Sequence, residues 1–122
     1  MIVGLGLDLV AVDRIAALLD RHRERLLARC FAPGELARPD DPQHLAGVLA
    51  AKEAAFKALG TGWGDGVGWR DARVARHRSG EPRLEFAGRA AQRAAALGVG
   101  RAHLSITHAG GVAVAIVVLE RA

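Results

Sequence analysis

With 122 residues, the chain is long enough to enclose one hydrophobic core and too short for two ordinary domains, so we expect a single domain over residues 1–122. Hydrophobic residues make up 51% of it and charged residues 25%, a balance that excludes a disordered or low-complexity chain. The net charge of +4 favours an anionic partner, the single cysteine excludes an internal disulfide, and no apolar run approaches the length of a transmembrane helix. We therefore expect a soluble cytoplasmic protein that is neither exported nor bound to a membrane.

The first predicted element is a strand over residues 2–10, because apolar residues alternate there with small or polar ones. One face carries Gly4, Gly6 and Asp8. Glycines let another backbone or a ligand approach closely, and an acid in so apolar a segment needs a partner. A dinucleotide-binding fingerprint is excluded, because Leu9 stands where that motif has its third glycine. The other face of the strand carries Val3, Leu5, Leu7 and Leu9.

A helix is predicted over residues 13–29, with an apolar face beside a basic one. At 100° per residue, Arg14, Arg21 and Arg25 fall within about 40° of one another, and we call these three residues the arginine edge. The arginine edge is either a solvated charged face or a docking surface for an acidic protein. Nucleic acid fits it poorly, because the chain has no Tyr and only 4% aromatic residues to stack on bases. The apolar face consists of Ile15, Leu18, Leu19 and Leu26.

A turn-rich segment, in which Glu35 is the acid that could face a site, leads into the best marked helix of the chain. Asp41 is a favourable N-cap, Pro42 suits the first helical position, and Gly60 suits a left-handed turn after the last one. These signals predict a long central helix over residues 42–59. Its core-facing stripe is expected to contain Leu45, Val48, Leu49, Phe56 and Leu59.

Glu53 and Lys57 lie one turn apart on the shoulder of this helix, at the border between core and solvent. Such a pair is usually a weak ion pair on the surface. Here the helix exits through Gly60, Thr61 and Gly62, and a second acid stands in the glycine-bearing strand. Because these glycines and this second acid accompany them, Glu53 and Lys57 are candidate site residues.

The rest of the sequence predicts a loop, a hairpin, a helix and two strands. The predicted order is therefore β-α-α-β-β-α-β-β. It indicates an α+β fold in which a largely antiparallel sheet packs against the long central helix. The segments are a glycine-rich mobile loop at 63–69, hairpin strands at 70–78 and 83–87, a helix at 88–97, a strand at 101–108, and a central strand at 112–119.

The strand at 101–108 combines an inward face with a polar one. Its polar residues are either exposed to solvent or suited to bind a phosphate or a sugar, since they bring together two imidazoles and two hydroxyls. They are His103, Ser105, Thr107 and His108.

Three stretches carry the residues described above: GLGLDLVAVDRI at 4–15, LAGVLAAKEAAFKALGTG at 45–62 and HLSITH at 103–108. Together they resemble the small bacterial holo-(acyl-carrier-protein) synthases, which are 4′-phosphopantetheinyl transferases. In that family the first motif supplies a magnesium ligand, here Asp8. The second supplies another ligand, here Glu53, and a lysine on the phosphate side, here Lys57. The third is similar to the family's strand beside the coenzyme A nucleotide.

The resemblance implies an enzyme of cytoplasmic fatty acid biosynthesis that transfers 4′-phosphopantetheine from coenzyme A to a serine of apo acyl carrier protein. It implies Mg²⁺ as cofactor, release of adenosine 3′,5′-bisphosphate, and a homotrimer with an active site at each subunit boundary. The arginine edge is then the candidate surface for the carrier protein. The implied coenzyme A residues are Lys57, Gly60, Thr61, Gly62, His103, Ser105, Thr107 and His108.

The residue types suit this chemistry. Mg²⁺ takes oxygen ligands, typically one or two carboxylates, and Asp8 and Glu53 fit that count. The group that removes the serine proton stays open among a metal-bound water, Glu35 and Glu53 itself. The family commonly has Arg-Phe before its Ala-Ala-Lys-Glu sequence where this chain has Val48-Leu49, so position 48 is assigned no role.

A second hypothesis comes from another class of protein. A non-catalytic basic module could dock an acidic protein through the arginine edge. This hypothesis accounts for the arginines, but it gives no reason for Asp8, Glu53 and Lys57.

Overall fold

A computed structural model of the chain describes residues 1–61 and 66–122, and it confirms the predicted α+β fold and order of elements. Gly62 and the beginning of the predicted loop at 63–69 lie outside the described residues. None of the helices in the described ranges is long and apolar enough to cross a membrane. The elements are β1 (Ile2–Ala11), α1 (Val12–Cys30), α2 (Pro42–Leu59), β2 (Ala72–Arg76), β3 (Pro82–Phe86), α3 (Gly88–Leu97), β4 (Val99–Ala109) and β5 (Val112–Arg121), with a short 3₁₀ turn at Trp69–Asp71.

The strands form two antiparallel sheets. The larger sheet has the order β1-β5-β4, so the apolar β5 is its central strand, as the sequence predicts. The hairpin of β2 and β3 is a separate two-stranded sheet. Helix α2 crosses the inner face of the larger sheet, and the other helices and the hairpin pack around it.

Both predicted ends of α2 are confirmed. The Asp41 carboxylate accepts a hydrogen bond from the Gln43 N–H at 3.0 Å, which satisfies one of the free donors in the first turn. At the other end, Gly60 adopts a left-handed φ of +72°, and its N–H donates to the carbonyl of Lys57 at 3.1 Å.

Helix α2 is buried on nearly every side, which is more than the predicted five-residue stripe. From His44 to Leu59 every residue is buried except Glu53 and Lys57. The helix can sit so deep because it is rich in alanine and because Gly4 and Gly6 of β1 present no side chain to it. A Cβ at these two glycines would come within 2.1 and 1.8 Å of helix carbonyl oxygens. The expected close approach at the glycine face is thus made by a second backbone.

The leucine face of β1 points away from the core. Leu5, Leu7 and Leu9 are 63%, 58% and 60% exposed, and Ile116 of β5 beside them is 40% exposed. We call this side of the larger sheet the outer face. A contiguous apolar surface of this kind indicates an interaction site.

Helix α1 is kinked at His22, whose φ of −140° and ψ of 37° are not helical. The 100° winding that aligns Arg14, Arg21 and Arg25 assumes an unbroken helix, and the kink falls between Arg21 and Arg25. The predicted single arginine edge is therefore interrupted, although all three side chains are exposed. Of the predicted apolar face, Ile15, Leu19 and Leu26 are buried and Leu18 is only partly so.

Lys52 brings a charge into the core next to Glu53. Its side chain is fully buried and its Nζ donates to Glu35 Oε1 at 2.9 Å. Further hydrogen bonds reach the carbonyl oxygens of Trp69 at 3.1 Å and Ala72 at 2.6 Å. Burial lowers the pKa of Lys52, and the Glu35 carboxylate opposes that shift. The three hydrogen bonds satisfy the ammonium and tie two separate segments, one with Glu35 and one with Trp69 and Ala72, to α2.

Glu35 is as deeply buried as Lys52 and does not face the candidate site. Its Oε1 also accepts the N–H of Ala32 at 2.9 Å, and its Oε2 accepts the N–H of Val74 at 2.7 Å. Both carboxylate oxygens are therefore engaged inside the core. This removes Glu35 from the three candidates for the base that takes the serine proton.

Candidate active site

Asp8, Glu53 and Lys57, far apart in sequence, meet between β1 and α2. Asp8 points from the inner face of the sheet toward Glu53 and Lys57, the two residues between His44 and Leu59 of the helix that reach solvent. Lys57 Nζ donates to Asp8 Oδ1 at 2.8 Å and to the Leu7 carbonyl at 3.1 Å. The Lys57 side chain is 58% exposed and that of Asp8 12%, so the cluster opens to solvent on the lysine side.

The two carboxyl groups of the cluster perturb each other. Burial, followed by the neighbouring Asp8, raises the pKa of Glu53 to about 7. Burial alone would raise the pKa of Asp8 as well, but its contacts with Glu53 and Lys57 outweigh burial and lower it. The Asp8 carboxylate in turn raises the pKa of Lys57. Two close carboxyls with diverging pKa values are a common feature of functional sites.

A cation could satisfy the one carboxylate oxygen of this cluster that lacks a partner. Asp8 Oδ2 is buried and, when the neighbouring Glu53 is ionised, has no hydrogen-bond partner among residues 1–61 and 66–122. An orphaned carboxylate oxygen is costly unless a ligand satisfies it, and it faces a second carboxyl group, that of Glu53. No cluster of three or more His, Cys, Asp or Glu side chains suited to a metal occurs in the same ranges. Two carboxylates fit Mg²⁺, which keeps several of its waters, better than metals that need a full set of protein ligands.

The arginine edge begins at the cluster. The charge of Arg14 is close enough to lower the pKa of Glu53 in opposition to burial, so this arginine borders the site. Arg21 and Arg25 lie further along α1, on either side of the kink at His22. The three arginines therefore lie on the exposed side of α1, where the kink separates Arg25 from Arg14 and Arg21.

The C-terminal end of α2, which we call its exit, borders a cavity of about 370 Å³. Gly60 and Thr61 line it together with Arg89 and Arg93 of α3. Arg93 Nε also donates to the Leu59 carbonyl at 2.9 Å, which satisfies one of the last carbonyls of α2. Two guanidinium groups in one cavity give the helix exit a positive lining.

The polar residues of β4 do not all share a face. His103, Ser105 and Thr107 alternate with partly buried positions and lie on the outer face. His108 lies on the opposite face, where its Nε2 is 3.0 Å from the Gln43 carbonyl at the start of α2. The expected gathering of four polar side chains is therefore wrong for His108, because residues five apart on a strand point to opposite sides.

His103 borders a cavity of about 720 Å³ between β4 and the hairpin of β2 and β3. Arg83, Arg101 and His77 line the same cavity, with Glu81 as an acid at its wall. Within one chain, Asp8, Glu53 and Lys57 lie on the inner side of the sheet and His103 on the outer face. The structure thus brings together the first three residues and keeps them apart from His103.

Four contributing residues could not be assigned from the sequence. Lys52 immediately precedes Glu53, but nothing in the local pattern distinguishes a buried lysine from an exposed one. Arg89 and Arg93 belong to a helix far from the motifs, so only the fold brings them to the exit of α2. Glu120 pairs with His103 across two strands, and the two-residue turn at Gly110 and Gly111 was the signal that could have found it.

The chain belongs to the 4′-phosphopantetheinyl transferase superfamily, whose family model matches residues 4–117. It is 52% identical over 127 residues to a holo-(acyl-carrier-protein) synthase of Anaeromyxobacter sp. (strain K), covering 98% of this chain and 97% of that protein. Its fold is similar to the holo-(acyl-carrier-protein) synthase of Neisseria meningitidis, with a TM-score of 0.86 and 32% identity over 99% of this chain and 100% of that one. It is also similar to the Helicobacter pylori synthase in complex with coenzyme A, with a TM-score of 0.84 and 27% identity over 95% and 99% of the two chains.

Proposed function

We infer that this chain transfers the 4′-phosphopantetheine group from coenzyme A to a serine of apo acyl carrier protein, as holo-(acyl-carrier-protein) synthases do. The observation that carries this is the meeting of Asp8, Glu53 and Lys57 where α2 reaches solvent. In the reaction the serine oxygen bonds to the phosphorus next to pantetheine. The bond from that phosphorus to the bridging oxygen breaks, adenosine 3′,5′-bisphosphate leaves, and the serine proton is lost. The basic docking module gives Asp8 and Glu53 no role, so we do not retain it.

Asp8 and Glu53 would hold Mg²⁺, because they offer two converging carboxyls and an orphaned oxygen. When bound there, Mg²⁺ supplies positive charge that offsets the negative oxygens of the diphosphate. Lys57 contributes the second positive charge. Its ammonium now bonds Asp8 and is more than half exposed, so the flexible side chain can reach a phosphate oxygen at the same opening.

Coenzyme A binding is assigned to two surfaces. Gly60 and Thr61 border a cavity with a positive lining at the exit of α2, which suits the diphosphate and pantetheine side. Gly62, which the second motif also implicates, lies outside the described residues. On β4, His103 borders the larger cavity beside Arg83 and Arg101, which suits the phosphorylated nucleotide. Ser105, Thr107 and His108 remain implied by the motif alone.

We propose that the active molecule is a homotrimer that buries the outer face of each sheet. The apolar rows on this face run across β1 and β5 and end at polar residues of β4, which supports a chain-to-chain contact. The rows are Leu5, Val118 and His103, then Leu7, Ile116 and Ser105, then Leu9, Val114 and Thr107.

A trimer would also bring together the two groups of site residues that lie apart within one chain. One subunit would supply Asp8 and Glu53, and its neighbour would supply His103. At a coenzyme A concentration where an Asp8→Ala chain and a His103→Ala chain each show little transfer alone, their coexpression should restore activity at about a quarter of the boundaries by random assortment. No restoration in mixed trimers would contradict shared sites.

The arginine edge is proposed to receive the acidic carrier protein. Arg14 borders the catalytic cluster, and Arg21 and Arg25 are exposed further along α1, so a carrier docked on these residues would present its serine to the site. We place the reaction in the cytoplasm, in the supply of carrier protein to fatty acid biosynthesis. The one cysteine, Cys30, is free and buried, in keeping with a reducing compartment.

The proposed function is tested by mass spectrometry of an apo acyl carrier protein incubated with the purified chain, coenzyme A and Mg²⁺. The carrier should gain the mass of one phosphopantetheine group, and the gain should vanish with a chelator or when the carrier's serine is replaced by alanine. If the carrier binds the chain but gains no mass, the protein is a docking module and not a transferase.

A further inference from the structure

Glu120 of β5 holds the imidazole of His103. The His103 Nε2 lies 2.5 Å from Glu120 Oε1. The pair forms because β4 and β5 are antiparallel, with Glu120 directly opposite Arg101 and His103 two residues further along on the same face. A residue diagonal to its partner across an antiparallel pair is within reach of a long side chain.

We propose that Glu120 is a positioning residue of the coenzyme A site, which fixes the His103 ring so that its second nitrogen, Nδ1, serves a phosphate group of the nucleotide. The inference rests on the proposed function, since it deepens the role of the cavity that His103 borders. The ligand class is a phosphorylated nucleoside, because that cavity is lined by Arg83, Arg101 and His77 and is about 720 Å³ in volume.

The chemistry of the pair determines which ring nitrogen is free. His103 lowers the pKa of Glu120, so the carboxylate is ionised at neutral pH and can only accept hydrogen bonds. Nε2 must therefore carry the proton that bonds Glu120. Nδ1 is left for a ligand, and it donates to a phosphate oxygen when the ring carries its second proton. Without Glu120, the ring could turn and present either nitrogen.

The pair contributes little to folding. In the single chain the side chains of His103 and Glu120 are 45% and 40% exposed, and a pair this exposed contributes little to the stability of the chain's own fold. The strands themselves are held by an antiparallel ladder that is regular from Arg101 to Ala109. Other charged groups near the ring come from Arg101 on β4 and from Glu81 and Arg83 in the hairpin, so Glu120 is not the sole charge there. Its distinguishing feature is the direct hydrogen bond.

The test compares Glu120→Ala and Glu120→Gln with the same changes at Glu85, an exposed glutamate of β3. The probe is adenosine 3′,5′-bisphosphate, and its Kd is measured by calorimetry alongside KM for coenzyme A and kcat. Glu120→Ala should raise Kd and KM roughly three- to tenfold, the range of one hydrogen bond, with kcat nearly unchanged. Glu120→Gln keeps an acceptor oxygen and should fall between Glu120→Ala and wild type. The Glu85 variants should match wild type.

A double-mutant cycle separates positioning from a general charge effect. In a His103→Ala background, Glu120→Ala should cause no further loss of bisphosphate affinity, because there is no ring to hold. Additive losses would overturn the inference, as would an unchanged Kd in both Glu120 variants. A wild-type chain that transfers phosphopantetheine while the Glu120 variants bind normally would refute this inference alone. If Glu120→Ala does not fold, Glu120→Gln, which keeps the side-chain volume, carries the same cycle.

Discussion

Replacing Lys52 by methionine should destabilise the protein far more than the same change at Lys57, five residues along α2. The Lys52 ammonium is fully buried and donates to three oxygens, one of which belongs to the equally buried Glu35. Methionine fills similar space but leaves the Glu35 carboxylate buried with only its two backbone donors. Breaking a buried pair in this way costs about 3–5 kcal/mol.

A loss of this size is a large part of the roughly 5–15 kcal/mol that holds a typical domain folded. Urea unfolding followed by tryptophan fluorescence, without Mg²⁺ and at one protein concentration, measures it. Lys57→Met is the matched control and should barely move the midpoint, because that side chain is exposed. A Lys52→Met, Glu35→Leu double variant should lose less than the sum of the single variants. Equal midpoints for Lys52→Met and Lys57→Met would refute the role of the buried pair.

Asp8→Ala and Glu53→Ala should each abolish transfer in a folded protein, and near wild-type activity of either at limiting Mg²⁺ would rule out the metal assignment. Because the pKa of Glu53 is raised to about 7, a proton competes with the metal below that pH, so calorimetry should find Mg²⁺ affinity falling about tenfold per pH unit there and levelling above it. Lys57→Ala should lower kcat in the transfer assay while Mg²⁺ still binds, and a change in thermal stability alone would reduce Lys57 to a surface residue. An Arg21→Glu, Arg25→Glu variant should raise KM for the carrier protein and leave that for coenzyme A nearly unchanged, with a weaker salt dependence than wild type; equal losses for both substrates would make these arginines structural.

The elements of this fold could be predicted because their signals are local. Asp41 and Gly60 mark the two ends of α2, and the alternation in β1 separates Gly6 and Asp8 from the leucines. Which face of β1 would be buried does not follow from hydrophobicity, since the structure buries the glycine face and exposes the leucines. The reason is steric, because only the bare face lets the backbone of α2 approach.

Site residues that belong to one short motif could be predicted from the sequence. Site residues that only the tertiary structure brings together could not. Glu53 and Lys57 share a helix edge, so their spacing places them together. No proline or glycine near His22 predicts the kink there. The kink interrupts the arginine edge that regular helical winding predicts. The pairing of Lys52 with Glu35 depends on tertiary packing. By contrast, the separation of His108 from the outer face was contained in the period of two along a strand.

The most direct test of the central claim is a crystal structure of the protein with coenzyme A and Mg²⁺. It should contain a metal ion about 2.0–2.1 Å from an oxygen of each of Asp8 and Glu53, with Lys57 Nζ within hydrogen-bond distance of a diphosphate oxygen. A coenzyme A diphosphate bound away from this cluster, or a metal ion held without Asp8 and Glu53, would contradict it.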